Sequence, residues 1–154
     1  MGMDVVGVNP INETGKYFRN NVWWWRPLWD YCVSVYPPCE KVSGHYNDGD
    51  GMDLRHSLQL ANVLRKEISS GRTAQYAENY KKFQETVPDE QCQICDGTGQ
   101  RPDGLYGVEW KGKGCNGCDG KGTKRPWVTE YPFTVENVEE FANFLDCCGG
   151  FQIH

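Results

Sequence analysis

The chain has 154 residues, which fits one domain with a small appended module and allows a proper core without disulfide staples. Its net charge of −5 excludes the strongly basic surface of many nucleic-acid binders, and 13% aromatic residues favour a core rich in large rings. We find neither a run of roughly 20 apolar residues nor a signal-peptide pattern, so we expect a cytoplasmic protein without a membrane span.

Hydrophobic periodicity, caps and breakers predict an α+β fold. In chain order, the predicted elements are a strand over 5–8, a short helix from Pro27 to about Cys32, helices over 52–69 and 74–84, a strand over 126–131, a helix from its cap Thr134 to Cys147, and a strand over 151–153. We expect a small mixed sheet that joins both chain ends, and about three helices. A body of residues 1–90 and 126–154 would carry an inserted zinc hairpin over 91–125.

Two copies of the pattern Cys-x-x-Cys-x-Gly-x-Gly carry the clearest chemistry, with cysteines at Cys92, Cys95, Cys115 and Cys118. Two residues between cysteines allow both thiolates to reach one ion, and a second pair completes a tetrahedron. The 19 residues between Cys95 and Cys115 are within the usual range for paired knuckles. Four thiolates leave no position for water, so we predict one structural Zn²⁺. The alternative is a pair of redox disulfides. Redox-active thiols usually lie at a helix N-terminus, which lowers their pKa, and the glycines that closely follow each pair disfavour a helix there.

The two repeats resemble the cysteine-rich zinc domain of DnaJ chaperones over residues 92–122. DnaJ proteins have four repeats and two zinc ions, whereas this chain has two repeats and lacks the His-Pro-Asp triplet of a J-domain. Single-zinc relatives such as anti-TRAP bind other proteins. This resemblance implies protein binding through the zinc module.

Four other stretches resemble a family of small bacteriophage and bacterial proteins: residues 17–29 (YFRNNVWWWRPLW), 45–49 (HYNDG), 132–138 (PFTVENV) and 149–153 (GGFQI). The resemblance implies a phage or bacterial origin and a location in the host cytoplasm. Small phage proteins often bind host factors, including defence proteins.

Two polar regions are further candidate sites. The first is the tryptophan-rich block that contains Arg19, Asn21, Trp25 and Arg26. Its aromatic rings could stack on a base or a peptide, or could form the core. Three consecutive tryptophans cannot all point inward. The loop with His45, Asn47, Asp48 and Asp50 could hold an acid–base group or an anion, or could be a solvated turn in which Asp50 caps the next helix.

The other four cysteines, Cys32, Cys39, Cys147 and Cys148, are expected to be small buried residues and not, with His45, a second metal site. Lys111, Lys113, Lys121 and Lys124 could steer the zinc module towards an acidic partner.

We therefore expect a zinc-stabilised protein-binding module and not an enzyme, acting as an inhibitor or adaptor of a host protein. The alternatives are a small nucleotide- or metabolite-binding protein or enzyme, which would use the loop and the Trp/Arg block, and a nucleic-acid-binding zinc ribbon. The acidic charge disfavours nucleic acid.

Overall fold

A computed structural model describes residues 2–101 and 114–154 of the chain. They form an α+β fold of two compact units, one of Met1–Lys81 with Tyr131–His154 and the other of Lys82–Glu130. The second unit extends beyond the predicted 91–125 module at both ends. Across the two described ranges, no helix combines the length and apolar character needed to cross a membrane.

The strands form two separate sheets. Their bounds are β1 Gly2–Gly7, β2 Tyr17–Asn21, β3 Gly51–Met52, β4 Glu90–Gln91, β5 Thr123–Lys124 and β6 Phe151–Ile153. The first unit has the order β2-β1-β6-β3, and the second contains the β4-β5 pair. Because Val5 pairs with Ile153, the prediction that the sheet joins both chain ends is confirmed. The prediction of a mixed sheet is wrong, since every pairing of these six strands is antiparallel.

The described residues contain four α-helices: α1 Val22–Val35, α2 Leu54–Ser69, α3 Arg72–Thr86 and α4 Val135–Cys147. The last three agree with the predicted helices to within two residues at each end. The helix predicted from Pro27 begins five residues earlier, because Asn21 Oδ1 accepts the N–H groups of Trp23 and Trp24 at 3.0 and 3.2 Å. Pro27 thus lies inside α1, where burial of the helix face offsets its missing N–H group.

The strand predicted over 126–131 is wrong. Residues Trp127–Glu130 form a short 3₁₀ helix, since the Pro126 carbonyl accepts both the backbone N–H of Thr129 at 2.9 Å and its hydroxyl at 2.7 Å. These two local hydrogen bonds replace the cross-strand bonds that a strand would need.

Large rings fill the core of the first unit. Trp25 stacks on Trp29 at 5.5 Å between ring centroids and meets the edge of Phe141 at the same distance. The Trp25 indole N–H is satisfied by the Gly44 carbonyl at 2.6 Å. Trp23 and Trp24 are only partly buried, so the expectation that three consecutive tryptophans cannot all face inward is confirmed.

Arg125 ties the end of α3 to the β4-β5 pair within the second unit. Its guanidinium donates to the carbonyls of Gln84 and Val87, both at 2.6 Å, and to Asp89 at 3.1 Å. Carbonyls at a helix C-terminus have no partner within the helix, and a basic side chain can satisfy them. The segment that precedes the first cysteine is thereby held to the segment that follows the last one.

Candidate metal centre

The two cysteine repeats fold into two turns of nearly identical backbone conformation. The corresponding φ angles are 50° and 51° at Asp96 and Asp119, 76° and 78° at Gly97 and Gly120, and 71° and 80° at Gly99 and Gly122. The left-handed region is readily accessible to glycine and is tolerated by Asp. The glycine pattern is therefore what permits each loop to curl around its cysteine pair.

Each turn is joined to the other through its last glycine. Cys92 N–H donates to the Gly122 carbonyl at 2.9 Å, and Cys115 N–H donates to the Gly99 carbonyl at 2.8 Å. A Cβ atom added to Gly99 would lie 2.4 Å from the Gly120 carbonyl oxygen, and one added to Gly122 would lie 2.4 Å from that of Gly97. Only glycine allows this close approach of the two turns.

The four thiols converge on one point. Cys92 Sγ lies 3.9 Å from Cys115 Sγ, Cys95 Sγ lies 3.7 Å from Cys118 Sγ, and all four sulfurs are within 4.8 Å of one another. A tetrahedral ion with bonds of about 2.3 Å to sulfur requires sulfurs about 3.8 Å apart, whereas a disulfide needs about 2.05 Å. The arrangement is compatible with one metal ion and not with disulfide pairs.

Backbone N–H groups support the thiolate form of two of these cysteines. Gly99 N–H donates to Cys95 Sγ at 3.3 Å, and Gly122 N–H donates to Cys118 Sγ at 3.2 Å. Burial raises the pKa of both thiols, but the Gly99 N–H and neighbouring thiols lower that of Cys95 to about 7. For Cys118 the neighbouring thiols add to burial, and its pKa is raised to about 11. In both cases the glycine N–H group favours the thiolate, which is the form that binds a metal ion.

The centre is closed. The exposed fractions of the four cysteines are 0%, 2%, 0% and 5% in chain order, so protein covers the sulfurs on every side. Four sulfur ligands complete a tetrahedron and leave no position for a water or a substrate. A closed arrangement of four thiolates is typical of structural metal sites.

No protein-family model, curated protein or solved structure matches the chain. The resemblances to the DnaJ zinc domain and to small phage and bacterial proteins accordingly stay expectations from the sequence.

A groove lined by both apolar and charged residues lies next to the second cysteine pair. It has a volume of about 510 Å³, and its lining includes Ile94, Gly117 and Trp127. Trp127 is 57% exposed, and Lys124 Nζ lies 5.7 Å from the centre of its ring. Sequence reasoning missed this groove, because residues 126–131 were predicted as a strand. The signal that could have indicated it is an apolar residue, Ile94, between two metal-binding cysteines.

The predicted Trp/Arg site is not formed as expected. Trp25 is fully buried, so its side chain offers no surface to a partner or ligand, and this part of the prediction is wrong. Arg19 is exposed on β2 and lies 3.4 Å from Asp4, and Arg26 is exposed on α1. Asn21 caps α1 through its side-chain oxygen.

The polar groups of the 45–50 loop bond both within the loop and to α1 and β1, and His45 Nδ1 is buried without a hydrogen-bond partner among the described residues. His45 Nε2 lies 2.8 Å from Asp30 Oδ1, and Asp48 Oδ1 accepts the backbone N–H of Asp50 at 3.1 Å. Asp50 in turn accepts the N–H groups of Ser43 and Gly51 at 2.7 and 2.8 Å. These contacts favour the interpretation of the loop as a turn.

Other predicted roles in this region change as well. The prediction that Asp50 caps the next helix is wrong, because Asp53 caps α2 by accepting the His56 N–H at 2.8 Å. Asn47 donates to the Gly2 carbonyl at 3.3 Å. Between the loop and Arg19 or Arg26, the described part of the chain contains neither a hydrogen bond nor an ion pair.

The remaining predicted positions divide into buried thiols and lysines. Cys32, Cys39 and Cys148 are buried, burial raises the pKa of each, and for Cys39 it reaches about 12. Cys147 is only partly buried, so the prediction of a buried residue is wrong at this position, and its sulfur accepts a hydrogen bond from Asn12 at 3.2 Å. Over residues 2–101 and 114–154, the one group able to hold a metal ion is the Cys92 cluster. Lys111 and Lys113 lie outside the described residues.

Proposed function

We propose that the chain is a zinc-stabilised protein-binding module whose contact surface is the groove beside the cysteine cluster. Four sulfur ligands in a tetrahedron are typical of zinc or of an iron–sulfur cluster, and a mononuclear cage of this size fits a single Zn²⁺. The metal fixes the two turns, and the first turn positions Ile94 at the groove, whereas Trp127 comes from the short 3₁₀ helix that follows β5.

The observation that carries the proposal is the exposure of apolar side chains around this groove. Ile94 and Trp127, which both line the groove, are 49% and 57% exposed within a unit of about 50 residues. Tryptophan is among the residues that most often anchor protein interfaces, because its ring buries a large area with little loss of rotamer entropy. An apolar surface held by a metal is suited to a preorganised contact.

Charges at the groove point to the apolar side chains as the main source of affinity. Three acidic and three basic residues line it, and two of the basic ones have ion-pair partners: Arg125 contacts Asp89 and Lys124 contacts Glu90. Lys121, also on the lining, is the basic residue that could add electrostatic steering. Binding should therefore depend weakly on salt, whereas nucleic-acid binding falls steeply as salt rises.

The resemblance of residues 17–29, 45–49, 132–138 and 149–153 to small phage and bacterial proteins suggests the partner. On that basis we propose a bacterial host protein, such as a defence factor, whose surface the groove covers. The chain would act as an inhibitor or an adaptor, because a closed metal site supplies no chemistry of its own.

The test is affinity capture from bacterial lysate, with and without phage infection, using the tagged zinc-loaded protein and matched variants. Ile94→Ala and Trp127→Ala should each reduce the captured partner at least about tenfold, as expected for interface anchors worth more than 1 kcal/mol. Ile11→Ala and Tyr46→Ala are controls, because these residues are 78% and 69% exposed but lie in the other unit. If the controls reduce capture as much as Trp127→Ala, or if no partner is captured by folded protein, the proposal is wrong.

A further inference from the structure

A second pocket, unrelated to the cysteines, lies in the first unit between the start of α1 and the start of α4. Its volume is about 330 Å³, and its lining includes three asparagines, two glutamates and one tryptophan: Asn20, Asn21, Trp24, Glu136, Asn137 and Glu140. Such a concentration of amide and carboxylate groups around one ring is suited to a polar ligand.

Asn137 is a buried polar side chain with an unused donor that faces this pocket. It is only 8% exposed, and its Oδ1 accepts a hydrogen bond from Asn20 Nδ2 at 2.9 Å. Its Nδ2 group finds no acceptor among the residues that the structure describes, and this atom is not sealed from solvent. A buried amide normally has both of its ends satisfied. Asn20 therefore fixes the orientation of an N–H₂ group that is available to a ligand.

Two carboxylates of the pocket also lack an internal partner. Glu136 and Glu140 lie one turn apart on the same face of α4, where like charges repel. Within the described ranges, no basic side chain forms an ion pair with either of them. Glu136 is in the first turn and gains from the helix dipole, but Glu140 lies beyond that turn and gains little. A bound cation would remove the repulsion.

The tryptophan that lines the pocket favours a guanidinium group over an ammonium group as the bound cation. Trp24 is half-buried and lines the pocket beside the carboxylates. A guanidinium group is planar, stacks on aromatic faces and presents a fork of donors to carboxylates, whereas an ammonium group is compact and strongly hydrated. The amide of Asn137 could then donate to a carbonyl next to the guanidinium-bearing chain.

We infer that this pocket binds a guanidinium group, either of a free small compound or of an arginine side chain in a peptide. The site does not involve the metal, so this inference is tested independently of the proposed protein-binding groove. Its ligand-binding residues are Trp24, Glu136, Asn137 and Glu140, and Asn20 is a positioning residue.

The test is a titration of the full zinc-loaded chain, followed by ¹H–¹⁵N correlation spectra, with N-acetyl-arginine amide, N-acetyl-lysine amide and ethylguanidinium. We expect the arginine amide, at millimolar concentrations, to shift the indole N–H of Trp24 and the side-chain amides of Asn20 and Asn137. Ethylguanidinium has no carbonyl to which Asn137 could donate, so tighter binding of the arginine amide would identify a peptide arginine as the source. Equal binding would show that Asn137 makes no contact with the ligand and would overturn its assignment as a ligand-binding residue.

The matched variants are Glu140→Gln and Glu139→Gln. Both residues are exposed on α4 and both changes remove one negative charge, but Glu139 does not line the pocket. Glu140→Gln should weaken arginine-amide binding at least about tenfold, as expected for loss of a charge-assisted hydrogen bond, and Glu139→Gln less than about twofold. The inference is overturned if the arginine amide causes no shifts, if the lysine amide binds as tightly, or if Glu139→Gln weakens binding as much as Glu140→Gln.

Discussion

Gly122 shows how the second glycine of each repeat supports the metal centre, and replacing it with alanine tests the geometry directly. Its N–H donates to Cys118 Sγ at 3.2 Å and its carbonyl accepts from Cys92 at 2.9 Å. Its φ angle is +80°, and an added Cβ would lie 2.4 Å from the Gly97 carbonyl oxygen. We expect Gly122→Ala to weaken zinc binding strongly.

The magnitude has two parts. A left-handed conformation costs an alanine about 1–2 kcal/mol, and displacing the Gly97 backbone costs about 1–3 kcal/mol, by analogy with an overpacked core. The sum is about 2–5 kcal/mol, which corresponds to a loss of zinc affinity from about 30-fold to a few thousandfold. Because metal binding and folding of the turns are coupled, the cost is expressed in the affinity.

Two other glycines provide controls with nearly the same backbone angle. Gly120 has a φ of +78°, but the nearest atom to its added Cβ is 3.7 Å away, so Gly120→Ala should cost only the conformational part, about 5- to 30-fold in affinity. Gly71 has a φ of +79°, no atom within 4 Å of its added Cβ, and a position outside the second unit. Gly71→Ala should leave zinc affinity unchanged.

The assay is competition for zinc with a chromophoric chelator at neutral pH, carried out on the wild type and the three variants. The expected order of affinity is wild type and Gly71→Ala, then Gly120→Ala, then Gly122→Ala. Equal losses in Gly120→Ala and Gly122→Ala would refute the argument that close contact between the two turns limits residue 122 to glycine.

Three further predictions concern the metal, an acid-sensitive cap and the core. Cys118→Ser should lose zinc and lower the melting temperature, whereas Cys39→Ser should keep its full zinc content. Elemental analysis and thermal melts measure the two effects. A Cys118→Ser protein that keeps its zinc would contradict the proposed ligand set. The hydrogen bonds from His56 lower the pKa of Asp53, so its contribution to stability is present at neutral pH and is lost as the pH falls below about 4. Asp53→Ala should therefore melt at a lower temperature than the wild type at pH 7, with a smaller difference at pH 2, and a constant difference would contradict the role of the carboxylate. Phe141→Ala should lower the free energy of unfolding by about 3–5 kcal/mol in denaturant titrations, and a loss below about 1 kcal/mol would show that this ring is not part of a sealed core.

The features that the sequence predicted well depend on signals that are close together in the chain. The cysteine cluster follows from two repeats of eight residues, and α4 follows from its cap Thr134, whose hydroxyl accepts the N–H of Asn137 at 3.2 Å. The start of α1 was missed because Pro27 was interpreted as a first-turn residue. The local signal for the true start was Asn21, a cap residue that directly precedes an apolar run.

Features that depend on distant residues could not be predicted in this way. Asn20 and Asn137 are 117 positions apart, and only the tertiary fold brings α1 and α4 together around their pocket. The burial of Trp25 and the partial exposure of its neighbour Trp24 also depend on how α1 packs, since three adjacent tryptophans carry no information on which one faces inward. Sequence patterns predicted the cluster of four cysteines but not the surfaces around it.

The central claim is that four cysteine sulfurs hold one zinc ion in a closed site, and X-ray absorption at the zinc edge tests it most directly. The protein purified with its native metal should show a single shell of four sulfurs at about 2.3 Å. A shell that contains nitrogen or oxygen would contradict the account, because it would indicate an open site.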